Sequence, residues 1–408
     1  MRPAASVLTA LAALGLAAAA VAQSAPDGSQ NSLDLQKARA DSLKTKGWRR
    51  AYTETFDLSG LPDYEPSRQF TGVIRQWGSN YLADSPLEGY LEEEFRKYQP
   101  GVRFENNLSS TFIAMAGLYT KRADLAPMGR RPTWDELQGY QRVFGTLPAE
   151  IVMATGSLDV AGWTFALVPV VNAKNPLSRL TLAQLDGIFG AARQGGWQGN
   201  SWDERAARGA AGNIRTWGQL GLKGAWANKP IHVYGYNLNY HFPRDFAEKV
   251  MGGGYKWTET LVEFSNKVRS APGGDFGRLW SAGDQMTDAV ANDPYAITYT
   301  GILYARKPGV KTLPLGTDTR APFVMPTLRT VQDRSYPLAR EVYIYANRPA
   351  GGRIDPLFAE YLRFVVSRQG QEAVMRDGKY LPLTPALSRA QLKEIDAIGT
   401  ASKGGDGG

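Results

Sequence analysis

Residues 163–190 read WTFALVPVVNAKNPLSRLTLAQLDGIFG and carry the clearest structural pattern of the chain. Their first part, Trp163–Asn172, is a long apolar run that is typical of a buried β-strand. A polar turn containing Pro176 follows it. The run Thr181–Phe189 then has the apolar spacing of a helix, and Thr181 is its predicted N-cap. Strand, turn and helix in this order predict one βα unit of an α/β protein.

The same alternation extends in both directions along the chain. Apolar runs indicate strands, and amphipathic runs between them indicate helices with one buried face. The other predicted strands are 70–77, 102–105, 123–128, 231–236, 296–304 and 340–346, and the other helices are 86–98, 112–119, 243–251 and 356–367. The fold class is therefore predicted as α/β with mixed, mostly parallel sheets.

Composition excludes several kinds of chemistry. The chain has 408 residues, 43% hydrophobic and 21% charged, as expected for a soluble globular protein of two or three domains. It has no cysteine, which excludes disulfides, thiol nucleophiles, iron–sulfur clusters and zinc–thiolate sites. Its two histidines, His232 and His241, are too few for a three-histidine metal site. We therefore expect no metal and no cofactor.

The charge distribution bears on the partners. The formal net charge is +8, but the basic residues are scattered, with no run longer than a pair such as Arg130-Arg131. A nucleic-acid surface normally shows a cluster or stripe of basic residues, so no nucleic-acid partner is expected. A modest positive field is compatible with a small anionic ligand.

The N-terminus has the pattern of a secretory signal peptide. Arg2 precedes a run of alanine, leucine and valine, and Ala20-Val21-Ala22 fits the small-x-small rule for cleavage. The alternative, a membrane anchor, is disfavoured because the apolar run is short and polar sequence follows directly. Residues 1–22 are thus predicted as a cleaved signal peptide of a periplasmic protein. Without a cysteine the protein cannot be a lipoprotein.

The remaining terminal segments have polar compositions. Residues 23–67 are polar and weakly periodic, and are predicted to form a linker. Residues 396–408 end in a glycine-rich stretch and are predicted to form a flexible tail.

Common enzyme motifs are missing. The chain contains no G-x-S-x-G, no G-x-G-x-x-G, no Walker A loop and no H-E-x-x-H. A serine triad using His241 could assemble only through long-range contacts, and the run Glu92-Glu93-Glu94 is expected to be a solvated helix face. We therefore predict a protein without catalytic residues.

Two turns between strands and helices have the composition of an anion site. They are Gly78-Ser79-Asn80 and Ser109-Ser110-Thr111, and Arg130 follows a third predicted strand. Backbone N–H groups at a helix N-terminus bind anions together with neighbouring hydroxyls. The same serines and threonines could instead serve only as helix caps.

Several motifs, in order, resemble those of the periplasmic phosphate-binding proteins of ABC transporters. The motifs are 172–190, 294–301, 336–345 and Met128-Gly129-Arg130-Arg131-Pro132. The resemblance covers residues 70–385. It implies a two-lobed type II periplasmic binding protein fold, with lobe 1 formed by 68–160 plus 315–395 and lobe 2 by 161–314. It also implies a monomer that holds an oxyanion between the lobes for an ABC transporter permease.

The resemblance further implies which residues bind the ligand, and here the chain departs from the family. Its first two ligand loops fall on 78–81 and 108–111, where serines are kept but Tyr81 replaces a threonine. Tyr236 stands in place of an arginine, and Tyr240-His241-Phe242 in place of Ser-Gly-Thr. The implied ligand residues are Gly78, Ser79, Asn80, Ser109, Ser110, Thr111, Arg130, Tyr236, Tyr240 and His241.

These departures leave the identity of the ligand undecided. An aromatic cleft suits an organic anion with an apolar or planar part. Phosphate held by altered contacts is a second possibility. A third is a cleft that no longer binds a small molecule, in a scaffold or partner-binding protein. An exported hydrolase using His241 as a base is the alternative from the enzyme class.

Overall fold

The computed structural model describes residues 52–269, 278–348 and 352–399, and upstream of them residues 35, 37, 38 and 40–42. The predicted signal peptide over 1–22 and the last part of the predicted tail, 400–408, lie outside the described residues. Within the described residues, no helix is both long and apolar enough to span a membrane.

Strands and helices alternate along the chain as predicted. The strands are β1 (Thr71–Trp77), β2 (Gly101–Asn107), β3 (Leu125–Met128), β4 (Ala149–Thr155), β5 (Leu167–Asn172), β6 (Leu180–Thr181), β7 (Gly196–Gln198), β8 (Ser201–Asp203), β9 (His232–Tyr236), β10 (Val262–Phe264), β11 (Lys267–Arg269), β12 (Arg278–Trp280), β13 (Ala296–Gly301), β14 (Val310–Thr312), β15 (Leu315–Gly316) and β16 (Glu341–Ala346). The α-helices are α1 (Leu87–Tyr98), α2 (Ala114–Tyr119), α3 (Trp134–Phe144), α4 (Leu182–Phe189), α5 (His241–Val250), α6 (Ala282–Asn292), α7 (Leu328–Gln332), α8 (Pro356–Val366), α9 (Arg368–Asp377) and α10 (Pro385–Gly399). Short 3-10 helices cover Asn80–Leu82, Thr111–Ile113, Glu204–Ala206, Ala210–Gly212, Trp217–Leu220, Gly224–Trp226 and Ile302–Ala305.

Two five-stranded sheets organise the chain. Their strand orders are β2-β1-β3-β16-β4 and β10-β9-β13-β5-β14. In the first sheet β1 is parallel to β2 and β3, and β16 is antiparallel to β3 and β4. In the second sheet β9 is parallel to β10 and β13, and β5 is antiparallel to β13 and β14. The predicted α/β fold with mixed sheets is confirmed. The expectation that the sheets are mostly parallel is wrong, since parallel and antiparallel pairings are equally frequent in each large sheet.

The antiparallel pairings have a topological cause. The chain leaves the first sheet after β4 and enters the second at β5, and it returns to the first sheet at β16. The strands with which the chain enters a sheet from the other one, β5 and β16, are antiparallel to both of their neighbours. Each sheet supports its own buried apolar core, the first around residues such as Ile74 and Phe364 and the second around residues such as Val168 and Tyr299. The molecule is therefore two-lobed.

The point where the chain returns from the second lobe to the first lies later in the chain than predicted. Residues 315–339 were assigned to the first lobe, yet Leu315, Val331 and Tyr336 are buried in the core of the second. The Tyr336 hydroxyl donates to the carbonyl of Leu167 at 2.9 Å, and β15 pairs with β6. These contacts hold the segment on the second lobe until β16 begins.

The predicted linker and tail are also shorter than expected. Tyr52 and Tyr64 are 5% exposed. The Leu158 N–H donates to the Tyr52 hydroxyl at 2.8 Å, and the Tyr64 hydroxyl donates to Glu360 at 2.8 Å. Residues 52–67 therefore pack on the folded body, because aromatic rings within a polar stretch supply buried contacts. At the other end α10 continues to Gly399, with Ile398 in the first core.

Helix starts follow local chemistry. Thr181 caps α4 as predicted: its Oγ1 accepts from the Gln184 N–H at 3.1 Å, while Gln184 Oε1 accepts from the Thr181 N–H at 2.9 Å. Helix α5 begins at His241, two residues before the predicted start at Pro243. A proline is tolerated there because N–H groups of the first turn have no acceptor within the helix.

Candidate functional site

A cavity of about 200 Å³ lies between the two lobes. Its walls include residues that follow β1, β2 and β3 of the first sheet and residues that follow β9 and β13 of the second. Eight of the predicted ligand residues line it, namely Ser79, Asn80, Ser110, Thr111, Arg130, Tyr236, Tyr240 and His241. The other two, Gly78 and Ser109, do not line the cavity.

The turn after β1 brings a buried hydroxyl to the cavity. At Gly78 a Cβ atom would lie 2.1 Å from the carbonyl oxygen of Pro127, so only glycine permits this approach of the two strands. The next N–H group, that of Ser79, donates to the same oxygen at 2.8 Å. Ser79 is fully buried, and its Oγ has no hydrogen-bond partner within the described residues. This hydroxyl is positioned to bond a ligand.

The turn after β2 supplies a second hydroxyl. Ser110 Oγ accepts from the Phe112 N–H at 3.2 Å and caps the 3-10 helix Thr111–Ile113, which continues into α2. The capping interpretation of this turn is thus correct, and it leaves the hydroxyl proton of Ser110 free to be donated. Ser109, one residue earlier, is exposed to solvent.

Arg130 follows β3 and is 3% exposed. Its guanidinium forms a two-pronged ion pair with Glu136, with Nη1 and Nη2 2.7 and 2.8 Å from the two carboxylate oxygens. Glu136 also accepts from the Thr133 N–H at 2.7 Å in the capping box of α3. The positive charge of Arg130 is therefore compensated before any ligand enters.

Stacked aromatic rings form the wall contributed by the second lobe. Phe242 stacks on Tyr236, with ring centroids 4.5 Å apart, and on Phe165, with centroids 4.9 Å apart. The Tyr236 hydroxyl lies 2.6 Å from Thr300 Oγ1, and burial raises the pKa of Tyr236 well above its usual value. The Tyr240 hydroxyl accepts from the Asn266 N–H at 2.9 Å. This wall is apolar, with neutral polar tips.

A further helix N-terminus reaches the cavity at Ser281, which the sequence analysis did not identify. Its Oγ accepts from the Asp284 N–H at 3.1 Å and donates to the Asp284 carboxylate at 2.7 Å, which caps α6. The spacing Ser-x-x-Asp before an apolar run could have indicated this cap. With Thr111 and His241, Ser281 brings three helical N-termini to one cavity, and their partial positive charges favour an anion.

The segment that crosses between the lobes also lines the cavity. Gly162 and Thr164 have φ values of +92° and +50°. The left-handed region is costly for a β-branched residue such as Thr164, and such strain is concentrated at functional sites. The pattern of residue types along the chain gives no signal for a left-handed backbone at Thr164.

The described residues also bear on metal binding. They include no cluster of three or more His, Asp or Glu side chains able to hold a metal ion. His232 Nδ1 lies 2.6 Å from Asp293 and belongs to the second lobe, outside the cavity lining. The arrangement can bind a ligand through hydroxyls, backbone N–H groups and aromatic faces.

Two lobes around a cavity at several helix N-termini define a binding-protein architecture. The chain belongs to the family described as the PBP superfamily domain, whose profile matches residues 83–369. The resemblance inferred from the sequence motifs is thereby confirmed.

Individual proteins are similar over most of the chain. The phosphate-binding protein PstS of Pseudomonas aeruginosa is 29% identical over 82% of this chain and 90% of its own length. Protein SphX of Synechococcus elongatus is 23% identical over 79% of this chain and 81% of its own. Among solved structures, PstS of Borrelia burgdorferi has 16% identity and a TM-score of 0.47, covering 76% of this chain and 99% of that one.

Proposed function

We propose that the protein is an exported solute-binding protein that holds a small anion between its lobes and presents it to an ABC transporter permease. The family assignment and the similarity to phosphate-binding proteins support this function. The main observation in favour of an anion is the buried Ser79 hydroxyl, which has no hydrogen-bond partner within the described part of the chain. It lies in a cavity where helical N-termini converge. The protein acts by binding alone, as a monomer, without catalysis.

The anion that fits the cavity best is an organic one with a flat apolar part. Among the described residues that line the cavity, Arg130 is the single arginine or lysine, and Glu136 already compensates its charge. A compact dianion such as phosphate would lack a free cation. The rings of Tyr236, Phe242 and Phe165 instead give this wall an apolar character that suits an apolar group of the ligand. Phosphate is the second candidate, because the relative from Pseudomonas aeruginosa is named as a phosphate-binding protein.

A calorimetric and thermal-shift screen of the chain from Gln23 onward tests the proposal. The probes are inorganic phosphate, sulfate, phenylphosphonate and benzoate. We expect phenylphosphonate to bind more tightly than phosphate, and a ligand at 100 times its Kd should stabilise the protein by about 2.7 kcal/mol. If none of these anions shifts the unfolding transition, the proposal of an anion-binding function is wrong.

Two neighbouring serines provide a matched pair of variants. Ser110→Ala removes a hydroxyl that lines the cavity, and Ser109→Ala removes one that is exposed outside it. We expect the first to weaken binding about ten- to hundredfold, since a hydrogen bond to a charged group contributes about 1.5–3 kcal/mol. The second should leave affinity unchanged. Equal effects of the two substitutions would place the ligand elsewhere.

The proposed export has its own test. Expression of the full chain in a Gram-negative host, followed by fractionation and N-terminal sequencing, should find the protein in the periplasm with Gln23 at its start. Retention of residues 1–22 in a membrane fraction would favour the anchor instead.

A further inference from the structure

Helix α5 connects the ligand cavity with a second contact between the lobes. His241, in its first turn, lines the cavity. Asp245, in its middle, pairs with Arg340, the residue just before β16 of the first sheet. Glu248, near its C-terminal end, lies 2.5 Å from Nη1 of Arg131, which belongs to the first lobe. The helix therefore lines the cavity at its N-terminal end and contacts the first lobe from Asp245 to Glu248.

Beside Glu248, the hairpin β7–β8 extends from the second lobe to the first. The Trp197 N–H donates to the carbonyl of Gly253 at 3.0 Å, which anchors the hairpin just beyond the end of α5. The hairpin also contacts α3 of the first lobe. The Trp197 ring stacks on Trp134, with centroids 4.9 Å apart and planes 11° apart, and Asn200 Nδ2 donates to Gln141 Oε1 at 2.7 Å. We call these four side chains, of Trp134, Gln141, Trp197 and Asn200, the clasp.

The clasp differs from the packed interior of either lobe. Trp134 is 39% exposed, although large aromatic side chains normally bury most of their surface. A second cavity of about 290 Å³ lies beside the stack, lined by Trp134, Trp197 and Glu248 among others. Because the clasp borders open space and neither tryptophan belongs to an apolar core, its contacts can separate while both lobes stay folded.

We infer that the clasp holds the lobes in the arrangement that completes the ligand cavity, so that Trp134 and Trp197 are positioning residues for ligand affinity. The inference rests on the proposed binding function. The hairpin and His241 belong to one lobe, whereas Trp134, Ser79 and Ser110 belong to the other. A rotation of one lobe against the other that separates the tryptophans therefore also changes the distance between the walls of the cavity. A ligand needing both walls binds only the fraction of molecules in the competent arrangement.

Spin-label distance measurements on the ligand-free protein test the clasp without reference to any ligand. The chain has no cysteine, so Glu93→Cys on the first lobe and Lys174→Cys on the second give two specific exposed labelling sites. We expect one narrow distance distribution with the clasp intact. Either Trp134→Ala or Trp197→Ala should add a second, separate population, and Trp197→Phe, which keeps a stacking ring, should restore the single one.

Trp202→Ala is the matched control. Trp202 is 48% exposed on the same hairpin, and its ring packs edge-on against Trp197. This substitution should leave the distance distribution unchanged. Unchanged distributions in both Trp134→Ala and Trp197→Ala would overturn the inference, as would an equal effect of Trp202→Ala.

Affinity for phenylphosphonate provides the second readout. Since a stacked aromatic pair contributes about 0.5–1.5 kcal/mol, loss of either tryptophan should weaken binding about two- to tenfold, without loss of secondary structure. Unchanged affinity in both variants would refute the role in binding. If no probe binds the unmodified protein while the distances still respond, the proposed function fails and the clasp stands as a structural finding.

Discussion

Arg340 and Asp245 form an ion pair buried between the two lobes. Arg340 Nε lies 2.5 Å from an Asp245 carboxylate oxygen, and Arg340 is 1% exposed. The same guanidinium donates to the carbonyls of Phe165 at 3.3 Å and Gly129 at 3.5 Å, two residues that line the cavity between the lobes. Since Arg340 directly precedes β16, the pair fixes the point where the chain returns to the first lobe.

Removing one partner of this pair should be strongly destabilising. Asp245→Ala leaves a buried, uncompensated guanidinium, and we expect the free energy of unfolding to fall by about 3–5 kcal/mol. Urea unfolding measures the change. Lys97→Ala, which breaks an exposed pair with Glu94, is the control and should have no measurable effect. Similar stability of both variants would show that the Arg340–Asp245 pair contributes little.

Gly78 should be intolerant of any side chain. In Gly78→Ala the new Cβ would lie 2.1 Å from a backbone oxygen, and we expect a loss of roughly 2–3 kcal/mol together with loss of ligand binding. Gly89→Ala is the matched control, because nothing lies within 4 Å of a Cβ at this exposed position in α1. There alanine should stabilise the helix by about 0.5–1 kcal/mol. Thermal unfolding distinguishes the two, and a tolerated Gly78→Ala would contradict the predicted clash.

Glu92 should make stability depend on pH near neutrality. It shares the Asn106 amide with Glu88, and burial, followed by the charge of Glu88, raises the pKa of Glu92 from 4.5 to about 7. The folded state therefore binds more protons than the unfolded state between these values. Stability should accordingly fall as pH rises from about 4.5 to 7.

The variant Glu92→Gln removes this titration. Comparing urea unfolding at pH 5 and pH 8, we expect the variant to lose less stability than the unmodified protein over that interval. Glu93→Gln, an exposed residue on the same helix, is the control and should reproduce the unmodified protein. An identical pH dependence of all three proteins would exclude Glu92 as the cause.

Glu136 should decide how well the cavity accepts a dianion. Glu136→Gln keeps a side-chain oxygen for the capping box of α3 but removes the charge that compensates Arg130. We expect phosphate affinity, measured by calorimetry, to increase about tenfold, because Arg130 could then form charge-assisted bonds to the ligand. Glu150→Gln, whose carboxylate pairs with Arg131 and accepts from the Tyr345 hydroxyl outside the cavity, should not change it. Unaltered phosphate binding in Glu136→Gln would show that Arg130 does not contact the ligand.

Much of the candidate site could be predicted because its residues follow predicted strands. Ser79 and Ser110 come directly after β1 and β2, and strands that run parallel in one sheet bring their ends to one edge. Ser281 was missed because its helix was not predicted. Thr164 could not have been found, since a left-handed backbone is uncommon for threonine and has no signal in the pattern of residue types.

The amino-acid sequence by itself determined the local elements and the family. The helix at Leu87–Tyr98 follows from apolar residues on one face, and the start of α4 follows from the Thr181 cap, because both depend on neighbours a few residues away. Tertiary structure alone decided the compensation of Arg130 by Glu136, the pairing of Arg340 with a residue 95 positions away and the stack of Trp134 on Trp197. The two distant pairs arise from how the two lobes pack against each other, and the Arg130–Glu136 pair depends on side-chain orientation inside the fold. The spacing of residue types along the sequence specifies neither the packing of the lobes nor the orientation of a buried side chain.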